Sequence, residues 1–369
     1  MPPLKVIISG GGTGGHIFPA IAIADAIKRQ APDTEILFVG AKGRMEMEKV
    51  PEAGYTIIGL TIQGLQRKIS LQNILLPFRL LGSLIKAITI LRSFRADVAV
   101  GVGGYASGPT LRMAALLGIP CIIQEQNSYP GITNRLLAKK AKQICVAFTG
   151  MEKYFPAEKT VLTGNPVRGS LKTAANTKKD SLAFFGLNPE KFTILVVGGS
   201  LGARTINDSI SLSLEKIACR ENLQVLWQTG KNFSTDSLAT PIPSNVMPFT
   251  FIREMDKAYT AADIIISRAG AMSISELCIV GKPCILVPSP NVAEDHQTKN
   301  AKSLSENGAA LLVPDSNARE FLWSEVEKLM QSPARMLELS HKIQSRAISD
   351  SDDRIAQLVI QEARKHQMP

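Results

Sequence analysis

The stretch that most constrains this chain is "LKVIISGGGTGGHIFPAIAIADAIKRQ", residues 4–30. It opens with a β-branched apolar run, places five glycines within residues 10–15, and continues with apolar residues at helical spacing. That order predicts a buried strand, a tight loop and a helix. "EILFVGA" (35–41) reads as the next strand, and "ADVAVGVGGYASGP" (96–109), "PCIIQEQN" (120–127) and "KQICVAF" (142–148) repeat the grammar. Short apolar strands separated by helix-length segments imply a parallel, doubly wound sheet.

A second start follows. Residues 161–180 carry little strand signal, and "FTILVVGGSLGARTINDSI" (192–210) again reads strand, glycine turn, helix. "LQVLWQT" (223–229), "NVMPFTFI" (245–252), "ADIIIS" (262–267) and "PCILVP" (283–288) supply further strands. A chain of 369 residues also exceeds the roughly 250–300 that one core serves. The fold class is therefore α/β with two Rossmann-like domains, 1–166 and 167–345. A C-terminal helix over 346–369 is assigned to the first.

With 45% hydrophobic and 20% charged residues, the composition is that of a globular protein without long disordered tracts. The first residues show no signal-peptide pattern, which predicts a cytosolic protein. Five cysteines form no CxxC pair, so buried free thiols are expected rather than a zinc knuckle or a disulfide framework. Residues 1–170 hold 20 of the 42 Lys+Arg but 10 of the 32 Asp+Glu, so the whole excess of +10 lies there. One half is thus suited to an anionic surface or polymer.

Glycine loops between strand and helix let a ligand approach the backbone, where helix amides and dipole attract phosphate. Three such loops, at 10–15, 101–104 and 198–202, point to a phosphorylated ligand. Gly10, Gly12 and Gly15 satisfy GxGxxG, yet "LFVGAKGR" (37–44) lacks the acidic residue that a dinucleotide site places after its second strand. His16 stands where a P-loop has lysine, and a histidine there suits a general base.

The motifs "GGTGGHIFPA" (11–20), "GVGGYASGP" (101–109), "QEQN" (124–127), "GNPVR" (164–168), "GGSLGAR" (198–204), "SRAGAMSISEL" (267–277) and "HQTKNA" (296–301) are more specific. Together they resemble the MurG family of bacterial glycosyltransferases from Gly10 to about Gly308. The resemblance implies a GT-B architecture, with two Rossmann-like domains facing across a cleft. The implied activity is that of a hexosyltransferase moving N-acetylglucosamine from UDP-GlcNAc to the 4-hydroxyl of MurNAc in lipid I. The product, lipid II, would serve peptidoglycan synthesis, cell shape and cell division.

By the same resemblance, Ser200 and Arg168 meet the diphosphate, and Ile252 contacts uracil through its backbone. Ala271, Met272, Ser273, Ile274 and Ser275 line the nucleotide, Glu276 accepts from the ribose and Gln297 holds the sugar hydroxyls. Thr13, Gly14, Gly15 and Asn127 contact ligand from the first domain. His16 is the candidate base of an inverting, metal-independent displacement needing no cofactor. The DxD triplet at Asp350–Asp352 is read as a solvated face.

Between Glu52 and Asp97 no acidic residue interrupts Arg67, Lys68, Arg79, Lys86, Arg92 and Arg95. "LQNILLPFRLLGSLIKAITILR" (71–92) is apolar but broken by Pro77, Arg79 and Lys86, so it suits the surface of a bilayer rather than its interior. The expected partners are UDP-GlcNAc, lipid I and anionic phospholipid, with the protein peripheral on the cytoplasmic face of the inner membrane. Another lipid-linked glycosyltransferase and a UDP-GlcNAc epimerase remain alternatives. A nucleic-acid-binding module is disfavoured by 5% aromatics and the lack of any such motif.

Overall fold

The computed structural model describes residues 2–62, 76–167, 169, 171 and 176–368. It divides into two compact units, Met1–Val167 with Ser349–Pro369, and Arg168–Ile348. Each is built on one sheet. In the first, β1 (Lys5–Ser9), β2 (Glu35–Ala41), β3 (Thr56–Leu60), β4 (Val98–Gly101), β5 (Cys121–Glu125), β6 (Gln143–Val146) and β7 (Thr160–Leu162) lie in the order β3-β2-β1-β4-β5-β6-β7. In the second, β8 (Phe192–Val197), β9 (Leu223–Gln228), β10 (Val246–Phe249), β11 (Ile264–Ser267), β12 (Cys284–Leu286) and β13 (Leu311–Leu312) lie in the order β10-β9-β8-β11-β12-β13.

All ladders are parallel. Each sheet grows outward from its first strand, then returns to add strands on the other side. The reversal lies between β1 and β4 in one unit and between β8 and β11 in the other. At such switch points the loops beyond the strand carboxyl ends diverge and leave a crevice. The glycine loops of residues 10–13 and 102–104 flank the first, and those of 198–202 and 268–270 the second.

Central strands are buried on both faces, which is why they read as continuous apolar runs. Val6 and Ile8 pack with Ile23 and Ile27 of the helix Gly14–Gln30. Ile7, facing the other way, packs with Leu91 and Leu111 of the helices Leu76–Phe94 and Ser107–Leu116. The strands the sequence reading did not pick out, β3, β7 and β13, are all outermost and have two to five residues. They are only partly buried, as edge strands are.

The C-terminal helix Ser351–Gln367 packs Ile355, Val359 and Ile360 into the same cluster as Ile23 and Ile27. Arg29 reaches Asp352 at 3.0 Å and Asp353 at 2.8 Å. Asp352 is buried, which corrects the reading of Asp350–Asp352 as a solvated face. Cys121, Cys145, Cys278 and Cys284 are buried while Cys219 is exposed. Burial pushes the thiols of Cys121, Cys145 and Cys278 up to about 12, which leaves them inert at neutral pH.

Truncating Ile355 to alanine removes buried methyl groups from the first unit and is expected to cost about 2–5 kcal/mol. Amide exchange in the helix Gly14–Gln30 should quicken while that in the helix Arg204–Leu212 stays as in the native chain. Quickening confined to Arg204–Leu212 would contradict this packing.

Candidate active site

At the first switch point two glycine loops interlock. A Cβ on Gly104 would lie 2.3 Å from the Gly11 carbonyl oxygen, and one on Gly103 would lie 2.8 Å from Nε2 of His16. Both glycines also have φ near +90°, at +93° and +86°, a region that side chains disfavour. The loops therefore meet backbone to backbone, and the imidazole lies against Gly103. Thr13 is the N-cap of the helix Gly14–Gln30, and its Oγ1 is 3.3 Å from His16 Nδ1. Thr13, Gly14, Gly15 and His16 thus gather at the carboxyl end of β1 as expected from sequence.

Sequence reading missed Glu46, just beyond the segment searched for a ribose-binding acid. Its buried carboxylate accepts from the Gly12 amide at 2.8 Å and the Ala41 amide at 2.9 Å. The acid near the end of β2 thus fixes the glycine loop itself. Asn127 follows β5. Its backbone and side-chain amides donate to Glu125 Oε1 at 3.0 and 3.3 Å, while Gly131 N–H and Asn134 Nδ2 donate to Oε2 at 3.2 and 2.8 Å. Glu125 is buried, and despite these four donors burial pushes its carboxyl above the usual range.

Beside it runs a buried amide chain. Gln126 donates to the Val102 carbonyl at 2.8 Å and to Gln124, Gln124 donates to Asn165 at 2.8 Å, and Asn165 donates to the Gln126 carbonyl at 3.0 Å. The loops after β4, β5 and β7 are thereby joined without charge. Arg168, three residues beyond Asn165, lies outside the described residues, as do Arg67 and Lys68.

The second unit repeats the close approach. A Cβ on Gly202 would lie 2.2 Å from the Thr229 carbonyl oxygen, and one on Gly230 would lie 2.0 Å from the Gly202 nitrogen. Asn207 Nδ2 donates to the Thr229 carbonyl at 2.7 Å and Gln228 Nε2 to the Gly199 carbonyl at 3.1 Å. Ser200 stands exposed on the loop held between them. The backbone N–H of Ile252 donates to Gln228 Oε1 at 2.9 Å, so that N–H is already committed within the protein.

The helix Ala271–Val280 begins at Gly270 with no side-chain cap and no acid in its first turn. Its leading amides and dipole favour an anion there. Ala271 to Ser275 form that first turn. Glu276 is buried, with Oε2 accepting from the Tyr259 hydroxyl at 3.0 Å. Gln297 Oε1 accepts from Ser289 N–H at 2.8 Å, which commits the carbonyl end of its amide to the backbone. Among the described residues no cluster of three or more His, Cys, Asp or Glu is arranged to hold a metal.

Glu125 carries a pH signature. Between the ordinary carboxylate range and its raised value, the native chain keeps a proton that the unfolded chain has lost, so stability falls as pH rises through that interval. Glu125→Gln should flatten this slope, and it should cost about 1–3 kcal/mol because an NH2 then faces N–H donors. Thermal melts across that interval decide it, and a slope equal to native would contradict the assignment.

Residues 6–146 match the glycosyltransferase family 28 N-terminal domain and residues 193–355 its C-terminal domain. A Parabacteroides distasonis protein named UDP-N-acetylglucosamine--N-acetylmuramyl-(pentapeptide) pyrophosphoryl-undecaprenol N-acetylglucosamine transferase is 55% identical, over 98% of each chain. A Bacteroides fragilis protein of the same name is 54% identical over 98% of this chain and 96% of its own. The crystal structure of Acinetobacter baumannii MurG superposes with a TM-score of 0.80 at 30% identity, over 97% of this chain and 100% of that one. With two Rossmann-like units, both family domains in order and relatives matched along nearly their whole length, the chain belongs to glycosyltransferase family 28, with the GT-B fold and the MurG enzymes among its kin.

Proposed function

We propose that this chain transfers N-acetylglucosamine from UDP-GlcNAc to the 4-hydroxyl of the MurNAc sugar in lipid I, yielding lipid II for the cell wall. The observation that carries the reading is its 55% identity, end to end, to an enzyme named for that transfer. The second unit supplies a fitting donor site. Ser200, the uncapped helix start at Ala271–Ser275 and Arg168 take the diphosphate, Ile252 the uracil, Glu276 the ribose and Gln297 the sugar.

In the displacement the acceptor oxygen bonds to the anomeric carbon as the bond to UDP breaks, inverting α to β. The hydroxyl proton passes to His16, positioned by Gly103 and Thr13. Thr13, Gly14, Gly15 and Asn127 are proposed substrate contacts, to donor or acceptor, from the first unit. Preorganised amides and Arg168 stabilise the departing diphosphate, so no metal or cofactor is invoked.

Among the described residues no helix is long and apolar enough to cross a membrane. Leu80, Leu81 and Ile85 stand exposed on the helix Leu76–Phe94, and Leu116, Ile132 and Leu136 on the helices that follow. Exposed Arg112, Arg135, Lys139 and Lys140 lie on the same stretch of chain. Lys86 instead donates to the Gly59 carbonyl at 2.8 Å. These exposed apolar and basic groups support our reading of a peripheral seat on the anionic cytoplasmic leaflet of the inner membrane, with the product serving cell shape and division.

Labelled transfer to a lipid I analogue tests the reaction: native protein should give product, and His16→Ala should be slower by about 10²–10⁴-fold, the usual worth of a general base. Undiminished turnover by the variant would remove His16 from the mechanism. In sedimentation with phosphatidylglycerol vesicles, Leu81→Ser with Ile85→Ser should weaken binding roughly tenfold or more, from lost apolar burial. Unchanged sedimentation would remove this face from the membrane contact.

A further inference from the structure

One half-buried cluster in the second unit is not used by the transfer as described. Arg268, the first residue past β11, sends Nη1 to the carbonyls of Val287 at 3.0 Å and Pro288 at 3.2 Å, and to the carboxylate of Asp315. The other oxygen of Asp315 accepts from Thr205 Oγ1 at 2.9 Å. Thr205 is the second residue of the helix that follows the third glycine loop. A single guanidinium therefore ties together the chain beyond β8, β11, β12 and β13.

The tie ends next to the sugar-side glutamine. Pro288 is followed by Ser289, whose N–H holds Gln297 Oε1. The loop between them closes through Glu294 and Asp295, both left-handed at φ +55° and +51°. Two successive non-glycine residues in that region cost of order 1–3 kcal/mol each and persist only where surrounding structure holds them. The bonds from Arg268 to Val287 and Pro288 anchor the start of that loop, and the helix His296–Ser305 anchors its end.

We propose that Arg268 is a positioning residue for donor-sugar recognition: through the Val287–Ser289 segment it sets the amide of Gln297, and through Asp315 and Thr205 it keeps that segment in register with the diphosphate loop. The inference rests on the donor-site reading above and extends it to how the site tells UDP-GlcNAc from bare UDP. All three bonds leave Nη1; lysine keeps a charge opposite Asp315, but its ammonium stops one bond short of that nitrogen, at the place of Cζ, and so loses the shared reach to the two carbonyls and the carboxylate.

Calorimetric titration of the full chain with UDP and with UDP-GlcNAc separates the possibilities. In Arg268→Lys, affinity for UDP-GlcNAc should fall about tenfold while that for UDP stays within about twofold, the sugar-dependent increment being worth one neutral amide–hydroxyl hydrogen bond. Thr205→Val, a milder change, should move the same ratio in the same direction. Adding Gln297→Ala to Arg268→Lys should cost nothing further, because both act on one contact. A native UDP-GlcNAc to UDP ratio in the folded variants, or equal losses for both ligands, would overturn the inference. If the native protein itself binds UDP-GlcNAc no more tightly than UDP, the donor-site reading falls first, and this inference with it.

Discussion

The close approach of backbone to backbone at the carboxyl ends of both sheets is the constraint on which the rest of the structure depends. Gly104 against Gly11, and Gly202 against Gly230, leave no room for a single added carbon. The first pair joins the loops after β1 and β4, on either side of its switch point, and the second joins the loops after β8 and β9, on one side of its own, so each fixes a loop at its crevice before any side chain contributes. A histidine lies against Gly103 and an exposed serine rides the loop beside Gly202 for that reason. The glycines allow a backbone geometry that any side chain would block.

The two crevices differ in what satisfies their loops. In the first unit buried carboxylates do it, with Glu46 beneath the Gly12 amide and Glu125 holding Asn127 and Gly131. In the second, neutral amides of Asn207 and Gln228 hold the loop carbonyls, and the helix from Ala271 begins uncapped. Negative charge placed under one loop disfavours a further anion there, whereas uncapped amides and a helix dipole invite one. Two sheets of the same winding thereby present different electrostatic environments at their carboxyl ends, the second being the more favourable to an anion.

The winding and the central strands were legible in sequence because burial on both faces writes a continuous apolar run, as in "LKVIIS" and "FTILVV". The strands β3, β7 and β13 were not legible although "TIIGL" (56–60) and "AALLVP" (309–314) are themselves apolar, because only two to five residues of each pair in the sheet. The glycines and His16 were legible through their spacing, and the resemblance named the remaining ligand contacts. Glu46, Gln228, Arg268 and Asp315 were not legible, since each acts on groups far along the chain, and Glu125, whose partners Asn127, Gly131 and Asn134 are near, was not legible because its role depends on burial. A lone acid or amide at a strand end carries no local pattern to mark it. Glu46 came nearest, because an acid was sought close by for a different purpose, and Asp352 was misread because its partner Arg29 lies at the other end of the chain.

The most direct test of this division of charge is amide hydrogen exchange on the full-length protein with and without UDP-GlcNAc. Slowed exchange at residues 199–203 and 270–276, with residues 10–15 unaltered, is the predicted result. Slowing confined to residues 10–15 would place the nucleotide over the Glu46 carboxylate and contradict it.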